Sequence, residues 1–405
     1  MKKIFLFLFL FLLLYFEPLY FLGLKLSHLW KIIFIFICII LIFKKNYFFP
    51  KFVKIYLAYG ISLTVSPFFL EHNFDILIQS SKYLFFPFLF TFLLINRNYN
   101  WIDKQMFSAF VIVSFLPFYF NLLPQLGVSY ELETMGFEIN DALSGIFQQP
   151  HAASQALSLS VTTLILGLSK ENKLPKKILF SALIVMGMFF LLKTYVRLGL
   201  ILVLISLCLI FLYKTRVGVK FKLISFFVFI GIIFGTYLTN NNSTQIETYK
   251  SRLLGQSGYS VDNEVDSNSI SSGRLSIWKS TLYNWLKDDE VSIIILGLSE
   301  PELIKRNKKD IGQAVFSHNE FINALAVGGL ISISLFFGFF FLWWKKIKIL
   351  KKKIFDIQYY KYALVIFVNI FIFNVLQGGP ISLISGLFIL FSLVPLYELK
   401  NNKLI

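Results

Sequence analysis

The residues best suited to chemistry in this chain are one imidazole, a few arginines and their polar neighbours. Residues 239–317 form its one long water-compatible segment, and this contains Ser272-Gly273-Arg274-Leu275-Ser276-Ile277-Trp278. The segment ends in Ser317-His318-Asn319-Glu320, which opens directly into the apolar run Phe321 to Trp344. A histidine exchanges a proton with a hydroxyl near neutral pH. An arginine fork matches phosphate oxygens, and a helix N-terminus adds free N–H groups. A charged segment that delivers an imidazole to the lip of an apolar helix points to chemistry at a membrane surface.

Each of these residues also has a plainer reading. His318 serves as well as a capping or interfacial polar residue. Three neighbours raise it: Asn319 and Glu320 follow, and Gly328-Gly329 lies one helical stretch deeper, where small residues let helices approach closely. Glu320 either orients the imidazole or caps the helix. Arg274 either contacts phosphate or is an exposed arginine paired with an acid, and Arg252 is the weaker case of the same kind. Arg197, in Thr194-Tyr195-Val196-Arg197-Leu198-Gly199, either snorkels from a helix end or meets an anionic headgroup.

The elements that must position these groups are membrane helices. Apolar residues make up 57% of the 405-residue chain, charged residues only 15%, and mean hydropathy is +0.70. A soluble globule has no interior for that much apolar surface, so the expected class is an all-α polytopic membrane protein. Twelve segments suit spans: 4–22, 29–43, 52–70, 76–95, 107–123, 153–168, 178–195, 196–213, 221–238, 318–344, 361–377 and 381–397. The seventh and eighth nearly touch, so Lys193 to Arg197 must turn tightly. The start, Met1-Lys2-Lys3 and an apolar run to Phe16, resembles a signal peptide but lacks a small-residue cleavage site and reads as an uncleaved span. The 49 phenylalanines read mainly as codon bias acting on lipid-facing positions.

With the N-terminus in the cytoplasm, most of the 39 Lys and Arg fall on the cytoplasmic side, as the positive-inside rule requires. The net charge of +17 then needs no nucleic-acid partner. Both termini are expected in the cytoplasm, with loops 124–152 and 239–317 outside. The organisation is a bundle over 1–238, the large external loop over 239–317, and a closing bundle over 318–405. Within the loop, 274–287 predicts an amphipathic helix, with Leu275, Trp278, Leu282 and Trp285 on one face. Cys38 and Cys208 lie in apolar spans and support neither a disulfide nor a metal site. Asp262, Glu264 and Asp266 fit a calcium loop poorly, Asp288-Asp289-Glu290 is no convincing metal site, and no P-loop is present. Lys82 is a cation within a span, and His28, His72 and His151 lie in outer connections.

In this order and on this membrane side, the motifs resemble the O-antigen ligase and polymerase superfamily of bacterial membrane glycosyltransferases. The resemblance runs from about 120 to 345. It rests on Gly145-Ile146-Phe147-Gln148-Gln149-Pro150, on Arg197 opening a span, on the large loop with Ser272-Gly273-Arg274 and Trp278, and on His318-Asn319 followed by Gly329. Three residues beyond Gly329 the family usually carries glycine, threonine or tyrosine; here stands Ser332, also small.

The resemblance implies a GT-C-like bundle in the bacterial inner membrane. The implied donor is a glycan on undecaprenyl diphosphate, attacked by a hydroxyl of a glycan acceptor in an inverting, metal-independent transfer without cofactor. Arg197 and Arg274 would hold the diphosphate and His318 would act as base or acceptor-orienting group. Arg252, Asn319, Glu320 and Trp278 would contact substrate. Membrane lipids are further partners, and a chain-length regulator protein is an allowed one. The expected activity is polymerisation of lipid-linked repeat units, as for O-antigen or capsular polysaccharide. The alternatives are a ligase that moves glycan to lipid A core and, in another class, a transporter or flippase of lipid-linked oligosaccharide. Transporters tend to show paired halves and broken or charged helices at mid-membrane.

Overall fold

Long apolar runs broken by lysine, asparagine and proline become helices. A computed structural model describes residues 20–21, 24–45, 49–71, 74–95, 105–114, 150–194, 196–212, 274–287, 290–311, 317–353, 357–379 and 381–401. The helices are α1 Leu26–Lys45, α2 Lys51–Glu71, α3 Phe74–Ile95, α4 Gln105–Ser114, α5 Pro150–Lys170, α6 Leu174–Lys193, α7 Arg197–Leu212, α8 Arg274–Leu286, α9 Val291–Leu296, α10 Glu300–Ile311, α11 Glu320–Lys353, α12 Ile357–Leu376 and α13 Leu383–Asn401. One two-residue antiparallel ladder, Tyr20–Phe21 with Leu24–Lys25, precedes α1, so the predicted span 4–22 ends in extended backbone. The rest of that segment, the segment 221–238, Arg252 and the residues of loop 124–152 before Pro150 lie outside the described residues.

The protein is an all-α membrane protein. Among the described residues four helices are long and apolar enough to cross a bilayer: Pro150–Lys170, Leu174–Lys193, Glu320–Lys352 and Tyr359–Leu376. The chain packs as two compact units. One takes Met1–Phe36, Asn98–Lys250 and Asp356–Asn369; the other takes Ile37–Arg97, Ser251–Phe355 and Ile370–Ile405.

In the first unit α5 is the inner helix. It starts at Pro150, whose missing N–H and fixed φ suit a first helical position. Its serines satisfy themselves within the helix: Ser158 Oγ donates to the Gln155 carbonyl at 2.9 Å and Ser160 Oγ to that of Ala156 at 2.7 Å. The tight turn expected at Lys193–Arg197 is present. Buried Thr194 makes it, its hydroxyl donating to the Leu191 carbonyl at 2.7 Å and accepting from the Val196 N–H at 3.3 Å. Gly199 lets α7 close on α5, since a Cβ there would run into Ser154 Oγ. Asn369 Nδ2 donates to Ser206 Oγ at 2.6 Å and ties the middle of α12 to α7.

The second unit is built on aromatic side chains. Tyr56 on α2 meets Phe86 on α3 at 4.8 Å and Phe339 on α11 at 4.9 Å, both edge to face, and Tyr59 meets Phe336 at 4.6 Å. Phe52, Phe86, Phe90, Phe336 and Phe339 are buried. Phe36, Phe43, Phe337 and Phe341 are exposed, so among the described residues phenylalanine both packs helices and faces outward. With no hydrophobic drive between helices in lipid, shape and ring-edge contacts carry the packing, at about 0.5–1.5 kcal/mol per aromatic pair beyond area. A correction concerns α11, which is not one straight rod. Gly329 sits at φ 65, ψ −164 and splits it into a short first part and a longer second part that continues through the basic run Lys345–Lys353.

Candidate functional site

The predicted helix over 274–287 exists as α8. Its buried face shares only Trp285 with the predicted apolar stripe, however. Ile277, Ser280, Thr281, Asn284 and Trp285 are buried, while Leu275 is exposed. The reason is a polar network with α10: Ser280 Oγ donates to Asn307 Oδ1 at 3.0 Å, Asn284 Nδ2 to Asp310 Oδ2 at 2.7 Å, and Asn307 Nδ2 to Thr281 Oγ1 at 3.1 Å. Arg306 adds an N–H to the Asn284 carbonyl at 3.2 Å. Satisfied hydrogen bonds decide which face turns inward, because leaving these groups buried and unpaired is costly. Lys82 on α3 holds this layer to the bundle, its Nζ 3.2 Å from both carboxylate oxygens of Glu300.

A second anchor is backbone to backbone. Gly297, at φ 82, and Gly329 bring α9 against the break in α11: a Cβ on Gly297 would run into Val327, and one on Gly329 into Ile295. The Leu298 N–H donates to the Ala326 carbonyl at 2.7 Å. The close approach expected at Gly328-Gly329 therefore occurs, against α9.

With α8 fixed, its first turn faces the start of α11. Trp278 Nε1 donates to the Ser317 carbonyl at 2.6 Å. His318 follows at φ 50, a left-handed conformation that costs a residue with a Cβ roughly 1–2 kcal/mol and is held by its surroundings. Asn319 caps α11, its Oδ1 accepting from the N–H groups of Phe321 at 2.9 Å and Ile322 at 3.1 Å. Glu320 is 1% exposed. It turns away from a ligand-accessible role: Oε1 accepts from the Tyr59 hydroxyl at 2.7 Å and Oε2 from the Gly379 N–H at 2.8 Å.

The turn after α12 closes the site, and reading the sequence alone overlooks it. Arg274 Nη2 donates to Gln377 Oε1 at 2.8 Å. The Gln377 backbone lies close enough to the His318 imidazole to favour its charged form. Gly378, at φ 69, lies so close to the start of α11 that a Cβ would be 2.9 Å from the Asn319 nitrogen. The available signal was Gln377-Gly378-Gly379, a polar residue and paired glycines between two apolar runs.

Burial, and then the Arg274 guanidinium, push the His318 imidazole down to about 4, with the Gln377 carbonyl acting in the opposite sense. The ring is therefore neutral at pH 7. A neutral imidazole keeps a lone pair on one nitrogen, which is the form that accepts a proton from a hydroxyl.

The structure thus brings His318, Asn319, Glu320, Arg274 and Trp278 together in one unit. Arg197 opens α7 in the other unit. No protein-family model matches the sequence, and a search of curated proteins finds no match.

Proposed function

We propose that the protein is a membrane glycosyltransferase that polymerises undecaprenyl-diphosphate-linked oligosaccharide repeat units at the outer face of the bacterial inner membrane. The observation that carries this reading is a neutral imidazole, at the N-terminus of α11, within the field of a guanidinium that Gln377 holds. In this reading Arg274 binds the diphosphate and stabilises the charge that develops as it leaves. An acceptor hydroxyl oxygen attacks the anomeric carbon, the bond from that carbon to the diphosphate oxygen breaks, and His318 takes the hydroxyl proton. An imidazole held so far down is a weak base. The arriving diphosphate offsets the field of Arg274 and raises its basicity, so the base strengthens when the donor is bound.

The reading includes about twelve spans in a GT-C-like bundle, both termini in the cytoplasm, α8 to α10 outside, and transfer without a metal ion. The same chemistry on a lipid A core acceptor would make the protein a ligase. One observation favours transport instead: α11 is interrupted at Gly329, and interrupted helices beside a buried carboxylate are a feature of transporters.

Purified protein tests these readings. Incubated with undecaprenyl-diphosphate glycan, without nucleotide and with chelator, it is expected to produce a ladder of repeat units. His318→Ala is expected to bind the donor and to lose roughly 10²–10⁴-fold in transfer rate. Product only on lipid A core would make it a ligase. Movement of lipid-linked glycan across liposomes, with no glycosidic bond formed on any acceptor, would replace the transferase reading with a transporter.

A further inference from the structure

We infer that Gln377 is a positioning residue of this site: its side-chain amide holds the Arg274 guanidinium while the turn that carries it packs on the backbone of His318, and one residue so sets the cation beside the base. The chemistry rests on the transferase reading; the placement rests on geometry alone.

The turn that carries Gln377 is fixed from several directions. The N–H groups of Gln377 and Gly378 both donate to the Phe373 carbonyl, at 2.8 and 3.2 Å, which winds the end of α12 tight. Gly378 packs directly on the backbone of His318, Asn319 and Glu320, and its left-handed φ suits glycine. The Gly379 N–H is held by Glu320 Oε2 at 2.8 Å, and the Ile381 N–H by the Tyr56 hydroxyl at 3.0 Å. Glu320 is itself tied to α2 through Tyr59. The start of α11 and the turn after α12 therefore move as one body, and Gln377, 8% exposed, has little freedom of its own. Glu320 acts through this turn: its carboxylate positions Gly379, and through it Gln377.

The residue type fits the task. An amide oxygen orients a guanidinium without cancelling its charge, whereas a carboxylate in the same place would pair with Arg274 and compete with an anionic donor.

The test uses the full chain in detergent. In Gln377→Glu, the NMR titration midpoint of His318, identified among the four histidines by its loss in His318→Asn, is expected to rise by roughly one pH unit or more as an anion enters beside it. The Kd for undecaprenyl diphosphate is expected to rise roughly tenfold or more in the same variant. Gln377→Met, similar in size but without the acceptor, is expected to weaken that binding roughly tenfold while leaving thermal unfolding near wild type. It carries the test should the glutamate variant fail to insert. An unmoved His318 midpoint in a folded Gln377→Glu protein, or unchanged undecaprenyl diphosphate affinity in Gln377→Met, overturns the inference. A shifted midpoint in a protein that makes no glycosidic bond would uphold the placement of Gln377 and defeat the transferase reading alone.

Discussion

His318 combines a strained backbone with a suppressed basicity, and each has a measurable consequence. Its folded-state value, about 4, lies below the ordinary 6.5. The native protein therefore binds fewer protons than the unfolded chain between those values. Stability from this group is fully present above pH 6.5 and is lost as pH falls toward 4. In the proposed reaction the same sign governs activity, because the neutral ring would be the working form. The acid limb of kcat/KM, which reports the free enzyme, is expected well below pH 6.5, and that of kcat at a higher pH, since bound diphosphate favours the protonated ring. A kcat/KM limb at pH 6.5 or above would contradict the burial of the imidazole. The left-handed backbone gives a second expectation. His318→Gly and His318→Ala both delete the ring, but only glycine relieves the roughly 1–2 kcal/mol of left-handed strain, against about 0.5–1 kcal/mol of added unfolded-state entropy. Thermal unfolding should therefore find His318→Gly at least as stable as His318→Ala. The chemistry of this residue was legible from its type and its place at the mouth of an apolar helix. Its conformation was not, because the turn that packs on it, at Gln377-Gly378, lies some sixty residues further on, and the paired glycines there do not say which residues they will meet.

At the scale of elements, apolar length locates the helices and periodicity locates α8, yet neither says which face is buried. The periodic stripe of α8 selects Leu275, which is exposed, over Ser280 and Asn284, which are buried. Period alone weighs apolar residues, whereas here a polar network shared with α10 decides. The partners of Glu320 were likewise out of reach, since Tyr59 is 261 positions away and Gly379 is 59. The paired glycines of α11 were visible, but their consequence, a break filled by the backbone of α9, depends on Gly297 in a different element. This joint makes a clear prediction. Gly297→Ala and Gly329→Ala each force a Cβ into backbone at a positive φ and are expected to cost upward of about 2 kcal/mol. Both should also expose α9 to protease. Gly338→Ala is the control: on the same helix its Cβ would make only ordinary contact with Ile55, at 3.6 and 3.9 Å. It is expected to be neutral or to stabilise by up to about 1 kcal/mol. Equal losses at all three positions would mean that α11 tolerates no substitution, rather than that α9 docks at its break.

For the whole molecule, the second part of α11 decides which side of the membrane each end occupies. From the break at Gly329 to Lys353 it runs some 24 residues, about 36 Å at 1.5 Å per residue, against a hydrocarbon core of about 30 Å. Its apolar stretch gives way at Lys345 to a basic run whose long side chains suit headgroups, and in the proposed reading that end is cytoplasmic under the positive-inside rule. The short first part, with His318 before it, would then reach the opposite face, where the proposed donor would present its diphosphate. Lys309 on α10 and Lys351 on α11 are both exposed and sit on either side of this span. Cysteines placed at the two positions, in a chain whose Cys38 and Cys208 are replaced by serine, report the arrangement directly. A membrane-impermeant thiol reagent is expected to label Lys309→Cys in intact spheroplasts, and Lys351→Cys only after permeabilisation. Labelling of Lys351→Cys but not Lys309→Cys would put His318 and Arg274 on the cytoplasmic face. The proposed reaction would then lose its donor, and the charge distribution along the chain would need another cause.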